Sequence, residues 1–495
     1  MTKPNSNKYG PWIIGLAICA GTAIAVVILA LLAASVTVRR AEVASIYNNR
    51  KVEIKGIQPK NEVFGQNYPR EYETWKKTAN MDFKSKHLGN MPQDVLAERP
   101  DMVILWAGYA FARDYSAPRG HFYSVADMLT TWRVGSPGVE DQKDLQTASC
   151  WTCKSPDVPR MMEQLGQEEF YKAPWSSLGA EIVNPIGCAD CHEPQTMDLT
   201  ITRPALKEAF QRIGRDVNQT TILEKRSLVC AQCHVEYYFK GDGKYVTFPW
   251  DKGFTVEAME AYYDENDFSD WTHAVSKTPM IKAQHPDWEL FQLGPHGQKK
   301  LSCADCHMPY ISEGGLKYSD HHLVSPLSKV ATACQVCHRD SEETLIKFVY
   351  ERQDKLLETR NLLEPELAKA HILTKMAMEG GATDEELAPV RALIRQGQWR
   401  WDFAVASHGA PFHAPVETQR ILAHGLEKAL RAQILLKDVF SEHGIEEAVM
   451  PDISTKEKAQ KYIGLDPKVL ASQKAVFLET VAPKWLEEAK ANGRI

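Results

Sequence analysis

Apolar positions divide the chain into three stretches. From about Trp12 to Val38 no charge occurs, with Lys3 and Lys8 before the run and Arg39-Arg40 after it. That length can cross a bilayer, and the basic start and apolar centre are also those of an export signal. Ala33-Ala34-Ser35 offers a small-residue cleavage site, so cleaved signal and uncleaved anchor both stay open. Residues 40–75 mix polar and apolar positions with Gly and Pro and predict an extended lead-in. Val103 opens a short apolar core run. Further on, Val125, Met128, Leu129 and Trp132 recur at i, i+3, i+4 and i+7, a helical stripe with Arg133 at its far end. Between 150 and 340 periodic runs are scarce, and Lys244 to Phe248 is the best strand candidate. After His338 the period of 3.6 returns at Leu345, Val349, Leu356, Leu363 and Leu367, with Pro365 predicting a kink or break. Gly380-Gly381 should end that helix, Thr383 or Asp384 should cap the next, and Glu385–Phe403 and Glu417–Phe440 read as two more.

The poorly periodic middle carries the chemistry. Four segments read Cys-x-x-Cys-His: Cys188, Cys191 and His192; Cys230, Cys233 and His234; Cys303, Cys306 and His307; Cys334, Cys337 and His338. This is the pattern of covalent c-type haem attachment, in which two thioethers pin the porphyrin and the following His ligates iron. A fifth segment, Cys150-Trp151-Thr152-Cys153-Lys154, replaces that His with lysine. Chance predicts on the order of 0.01 Cys-x-x-Cys-His matches in a chain of this composition. Zinc ribbons need no His after the second Cys, and five pairs divide badly into four-ligand sites. Thioredoxin-like chemistry normally uses one such motif within a βαβ pattern that is not seen here. Four wires and one reaction centre are the reading, with porphyrins standing in for part of an apolar core.

Composition changes this picture little. The chain has 495 residues, a formal net charge of −6 and 25% charged residues, with no basic run to suggest nucleic acid. Ten of eleven cysteines lie in the five motifs and the eleventh, Cys19, lies in the N-terminal apolar run, so no disulfide framework remains. The expected fold is mainly α, with residues 1–40 a signal peptide or membrane anchor, 41–340 the pentahaem catalytic region and 341–495 a C-terminal helical arm packed on it. The arm's plain role is to cover the haem region; its sharper role is self-association.

Each bis-His haem needs a second donor. His121, His285, His296, His321, His322 and His413 lie among motif or Gly/Pro-rich residues, whereas His371, His424 and His443 fall on predicted arm helices and read as structural. Lysine ligates iron only as the neutral amine, and its free pKa near 10.4 would have to fall through burial and the iron's charge. An open opposite face would then let that haem bind substrate.

Beyond residue 60 the chain resembles the ammonia-forming pentahaem cytochrome c nitrite reductases. The resemblance rests on one Cys-x-x-Cys-Lys before four Cys-x-x-Cys-His, and on Arg119-Gly-His-Phe-Tyr and Cys230-Ala-Gln-Cys-His-Val-Glu-Tyr-Tyr. Lys277-Thr-Pro-Met-Ile-Lys-Ala-Gln-His285, Gln398-Trp-Arg-Trp-Asp and Pro451-Asp-Ile-Ser-Thr-Lys-Glu-Lys-Ala-Gln extend it. It implies distal ligands His321, His121, His413 and His296 for the second to fifth haems, and a catalytic pocket of Arg133, Tyr237 and His285 over the haem ligated by Lys154. A calcium site is implied at Glu236, the backbone carbonyls of Tyr237 and Lys282, and the Gln284 side chain, an oxygen set suited to a hard cation. Also implied are six-electron reduction of nitrite to ammonium, a homodimer paired by long C-terminal helices, a periplasmic location, and a membrane quinol dehydrogenase or multihaem cytochrome as donor. A pure electron conduit would have no use for an open iron. Hydroxylamine, sulfite or tetrathionate are the rival substrates.

Overall fold

The computed structural model describes residues 10–48, 50–140, 142–313, 316–446 and 448–495. Lys3 and Lys8 lie outside them. The apolar N-terminal run is helical over Gly10–Asn48, passing straight through Arg39-Arg40. Within it Trp12–Ala41 has a mean hydropathy of 2.7 and none of its most apolar window is buried.

The extended lead-in predicted for 40–75 is overturned. After that first helix come Asn61–Asn67 and Pro69–Lys76. Pro69 opens the latter at the first helical position, where its missing N–H costs nothing. Trp75 then buries its ring and donates from Nε1 to Ile186 O at 3.1 Å. The stripe ending at Arg133 is also shorter than predicted. The helix stops at Thr130, and Arg133 lies in a separate 3-10 turn, Trp132–Val134, where the Thr131 hydroxyl accepts the Arg133 N–H and Asp114 accepts that of Trp132.

Among the described residues, strands are confined to three antiparallel two-stranded ribbons. The strand anticipated at Lys244 begins one residue later, at Tyr245–Thr247, and pairs with Tyr238–Lys240. Lys244 itself is in the turn with φ +50°.

Three long helices follow: Glu342–Glu379, Asp384–Ala406 and Pro415–Glu442. Pro365 neither breaks nor ends the first. Leu363 and Leu367, both fully buried, hold it against the other two, and this packing outweighs the hydrogen bond proline forfeits. Close approach is possible because Gly397 and Gly425 face each other; a Cβ on Gly425 would meet Leu363 Cδ2 at 2.9 Å and Gly397 O at 3.2 Å. Thr383 caps the second helix in a reciprocal box with Glu386. The arm proper ends at Glu442. The remaining chain turns back over the cysteine-rich region, where Gln460 Nε2 donates to Ala112 O and Arg113 O at 3.1 and 3.0 Å and Trp485 packs edge-on against Trp175.

Candidate functional site

Each cysteine motif is wound into a single helical turn. In the second, third and fifth, the backbone N–H of the histidine donates to the carbonyl of the first cysteine at 2.9 Å. That α-type closure puts both thiols on one face with the imidazole beside them. In the first motif Lys154 N donates instead to Trp151 O at 2.9 Å, a tighter turn. Two motifs, Cys188–His192 and Cys303–His307, share an aspartate before their second cysteine. Asp190 and Asp305 accept the backbone N–H groups of Gly187 and Ser302, capping the turn, and each pairs with a buried or half-buried arginine, Arg203 or Arg226.

Across every Cys-x-x-Cys-His turn stands a second histidine. Ring centroids are 6.2 Å apart for His192 and His321, 6.2 Å for His234 and His121, 6.4 Å for His307 and His413, and 6.3 Å for His338 and His296. Two metal–nitrogen bonds of about 2.0 Å, plus about 1.1 Å from each nitrogen to its ring centre, span about 6.2 Å. The four gaps are those of one metal ion held by two imidazoles. The rings are also turned for it: Nδ1 of His192 donates to Met197 O at 2.7 Å and Nδ1 of His321 to Ser319 O at 2.8 Å, leaving both Nε2 lone pairs free. Burial pushes His121 down to about 3 and His307 to about 4, and lowers His192, His296, His321 and His413, so the imidazoles are neutral as ligands must be. His234 alone is raised, because Asp287 overcomes its burial. The neighbours of the ligand candidates stand elsewhere. His408 Nε2 lies 3.4 Å from Tyr115 OH, and His322 Nε2 is buried with no partner.

The motifs form a string. The Cys153 and Cys233 thiols are near enough to shift each other's ionisation, as are those of Cys230 and Cys303, while Cys334 bears on Cys306 and Cys191 on Cys230. Motifs one, three, four and five are therefore consecutive, with the second beside the third.

The first motif has different company. Burial pushes the Cys150 thiol up to about 11 against the opposing charges of Arg133 and Lys154. Tyr237, also driven up by burial, senses Cys153 and Cys150. Among the described residues no carboxylate pairs with Arg133 or with the Lys154 amine, so both are available to a ligand or metal. Arg133 lies over Phe111, 4.6 Å from the ring centre, and its Nε donates to Thr131 Oγ1 at 3.1 Å. Buried Arg203 clamps the motif's backbone, donating to Thr152 O at 2.6 Å and Ser155 O at 2.8 Å. His285 stacks on His234 at 4.8 Å while sensing Lys154, so it sits between the first and third motifs; burial and His234 pull it down to about 3. His234, His285 and Asp287 converge closely enough to suggest a metal, but His234 already faces His121. Asp287 accepts from His234 Nδ1 at 3.2 Å and orients that ring. A cavity of about 670 Å³ is lined by Arg113, Lys172 and Lys244, by Asp144 and Asp270, and by Gln146, whose Oε1 lies 3.6 Å from Cys150 Sγ.

Beside it lies an acidic knot. Glu236 accepts from Gln284 N at 2.6 Å and Tyr263 OH at 3.0 Å; Asp270 accepts from Lys282 N at 2.7 Å; Glu289 accepts from Trp250 Nε1 at 2.8 Å and leaves Oε2 unpartnered. Burial drives Glu236 well above the carboxylate range, Asp270 up to about 7 and Glu289 up to about 8. The Lys282 ammonium bonds to Asp402 instead, and no other cation pairs with the knot among the described residues. Two buried carboxyls, Glu236 and Glu289, and a half-buried third, Asp270, without a paired cation suit a bound divalent ion.

Sequence reasoning did not single out Arg203, Asp287, Asp270 or Glu289. The shared Cys-Ala-Asp-Cys-His of the second and fourth motifs was the available signal for an arginine partner.

Comparison with known proteins agrees with this geometry. Residues 60–493 match the family model of cytochrome c552. The chain is 60% identical over 490 residues to cytochrome c-552 of Bacteroides fragilis, covering 99% of each, and 59% identical over 492 residues to that of Porphyromonas gingivalis, again covering 99% of each. It also resembles the solved catalytic subunit of cytochrome c nitrite reductase from Desulfovibrio desulfuricans, described with two calcium sites. There the TM-score is 0.73 at 31% identity, over 85% of this chain and 91% of that one. The chain therefore belongs to the cytochrome c552 family, multihaem oxidoreductases that include cytochrome c nitrite reductase.

Proposed function

We propose that this protein carries five covalent haems c and reduces nitrite to ammonium at the haem of the first motif, with Lys154 as its iron ligand. The observation that carries this reading is the asymmetry of the five motifs. Four have a facing histidine at ligand spacing. The first has a lysine free of any carboxylate and, near its cysteines, an arginine equally free.

The overall conversion takes nitrite, six electrons and eight protons to ammonium and two waters. When bound, the haem supplies ferrous iron that coordinates the nitrogen and weakens its bonds to oxygen. Arg133 keeps its charge under all ordinary conditions and holds the anion by charge-assisted hydrogen bonds. Tyr237 stays protonated because burial resists ionisation, so it donates a hydrogen bond. His285, neutral at rest, donates its N–H to a nitrite oxygen, gives up that proton as the oxygen leaves as water, and regains one from solvent. In the cavity Arg113, Lys172 and Lys244 outnumber Asp144 and Asp270, which gives an anion a net cationic approach. The string of motifs supports delivery of electrons through four bis-His haems.

Calcium is assigned to Glu236, the carbonyls of Tyr237 and Lys282, and the Gln284 amide. It would supply the charge the acidic knot lacks and fix Tyr237 from its backbone side. Residues 1–40 are a signal or anchor, supported by the exposed apolar helix, which puts the body in the periplasm with a quinol dehydrogenase or multihaem cytochrome as donor. Self-association of the 341–495 region is supported by Leu362, Leu430 and Ile434, exposed on its long helices at 60, 44 and 59%.

The test is ammonium yield from nitrite with a low-potential dye donor, run beside Lys154→His at equal haem content. Near-stoichiometric ammonium from the parent and a sharp fall in the variant support the reading. Five haems that reduce reversibly without consuming nitrite would replace it with an electron conduit.

A further inference from the structure

Lys474, on the Pro467–Thr480 helix, is only 3% exposed, and no carboxylate bonds to its ammonium. Its Nζ instead donates to two backbone carbonyls, Leu129 O at 3.1 Å and Gly135 O. These two carbonyls bracket the turn that carries Arg133. Inside the bracket, Thr131 Oγ1 accepts from Arg133 N at 3.3 Å and from Arg133 Nε at 3.1 Å while donating to Asp114 Oδ2 at 3.0 Å. Asp114 Oδ2 also accepts Trp132 N at 3.2 Å. The Lys474 ammonium also lies over the Phe477 ring, 4.6 Å from its centre.

A buried ammonium met by two carbonyls and one aromatic face, with no carboxylate bonded to it among the described residues, is costly. Burial pulls it down to about 8, with Asp114 opposing from a distance. Packing alone would be served more cheaply by an apolar side chain. What the ammonium adds is a pair of hydrogen bonds that close both ends of one short segment, and that segment carries Arg133, whose charge acts on Cys150 of the first motif.

We propose that Lys474 is a positioning residue for Arg133, fixing the guanidinium where nitrite must meet it. The inference rests on the reading of Arg133 as the nitrite-binding arginine. It places a determinant of substrate affinity on the C-terminal segment, far in sequence from the haem motifs.

Lys474→Met keeps the stem and removes both hydrogen bonds; Lys474→Arg restores donors. Nitrite affinity is read on the oxidised, five-haem protein by titrating the Soret band, and KM and kcat are measured for nitrite and for hydroxylamine, which is uncharged at pH 7.5. Lys474→Met should raise Kd and KM for nitrite roughly tenfold, as a displaced contact does, with hydroxylamine KM within about twofold of the parent. Lys474→Arg should recover most of the loss. Unchanged nitrite Kd in Lys474→Met, equal losses with both substrates, or failure of both variants to load five haems would each overturn the proposal. A parent that binds no nitrite would instead defeat the functional reading beneath it.

Discussion

Lys282 Nζ lies 2.7 Å from Asp402 Oδ1 with the two side chains 3% and 0% exposed, a buried ion pair joining the segment before His285 to the Asp384–Ala406 helix. Its partners are complete: Asp402 Oδ2 also accepts from Ala283 N at 3.2 Å and Trp106 Nε1 at 3.4 Å. The Lys282 side chain is thereby turned away from the acidic knot, and the carbonyl assigned to calcium is held by an anchor on the arm. Lys282→Met leaves Asp402 buried without its cation and should cost about 3–5 kcal/mol in unfolding free energy. Denaturant unfolding of the holoprotein checks it; a loss below about 1 kcal/mol would show the pair to be expendable.

Calcium removal should destabilise the protein in a manner that depends on the acidic knot. At a concentration one hundred times its Kd, a cation bound only to the folded state contributes about 2.7 kcal/mol. Thermal melts with chelator and with added calcium should differ in the parent. In Glu236→Gln the two curves should coincide.

Arg133→Gln should lower kcat/KM for nitrite by about 10²–10³-fold, the usual loss when a charged donor to a reacting anion is removed. Haem content should be unchanged, because Arg133 touches no histidine of the four facing pairs. Steady-state kinetics with matched haem loading decides it.

His413→Gly should convert one haem in five from low to high spin, since His307 then has no partner across its 6.4 Å gap. Electron paramagnetic resonance of the oxidised protein reads this directly. A spectrum identical to the parent's would reassign the fourth haem's ligand, with His408 the first alternative to try.

Stability should fall with acid through a pair of histidines outside the haem set. His273 and His371 stack at 3.7 Å, fully buried, with His273 Nε2 on Ile104 O and His371 bridging Ser276 Oγ and Gln398 Oε1, each at 2.7 Å. Burial holds His371 at about 4 and His273 well below its ordinary value. Both are lowered on folding, so the unfolded chain binds more protons below about pH 6.5. Their contribution is fully present above that pH and is lost as pH falls toward 4. His371 alone accounts for about 3 kcal/mol over that window. His371→Gln should flatten the dependence of Tm on pH between 6.5 and 4.5.

The motif spacing and the helix periods carried much of this architecture. Cys-x-x-Cys-His is a local chemical requirement, so the five attachment turns could be read directly. The arm helices followed the 3.6 period almost to their observed ends. Pro365 misled because its cost is local whereas the buried faces of Leu363 and Leu367 act across three helices. The 40–75 segment misled because two short helices there are fixed by contacts such as Trp75 with Ile186, which lie far apart in sequence. Lys474 was invisible for the same reason: it acts on backbone carbonyls, and no pattern in the chain announces a carbonyl's partner.

The facing histidines also impose a timetable. The chain is made from its N-terminus, so His121 and His296 exist before the motifs they face, whereas His321 and His413 come long after theirs. A third or fifth haem can be closed on both sides as soon as its motif is attached. The second and fourth must wait with one face open, the fourth until nearly the whole chain is present. On the proposed ligation, haem attachment in chain order would leave the second and fourth irons open to stray ligands longest, and truncation before His413 would leave the fourth without its facing histidine.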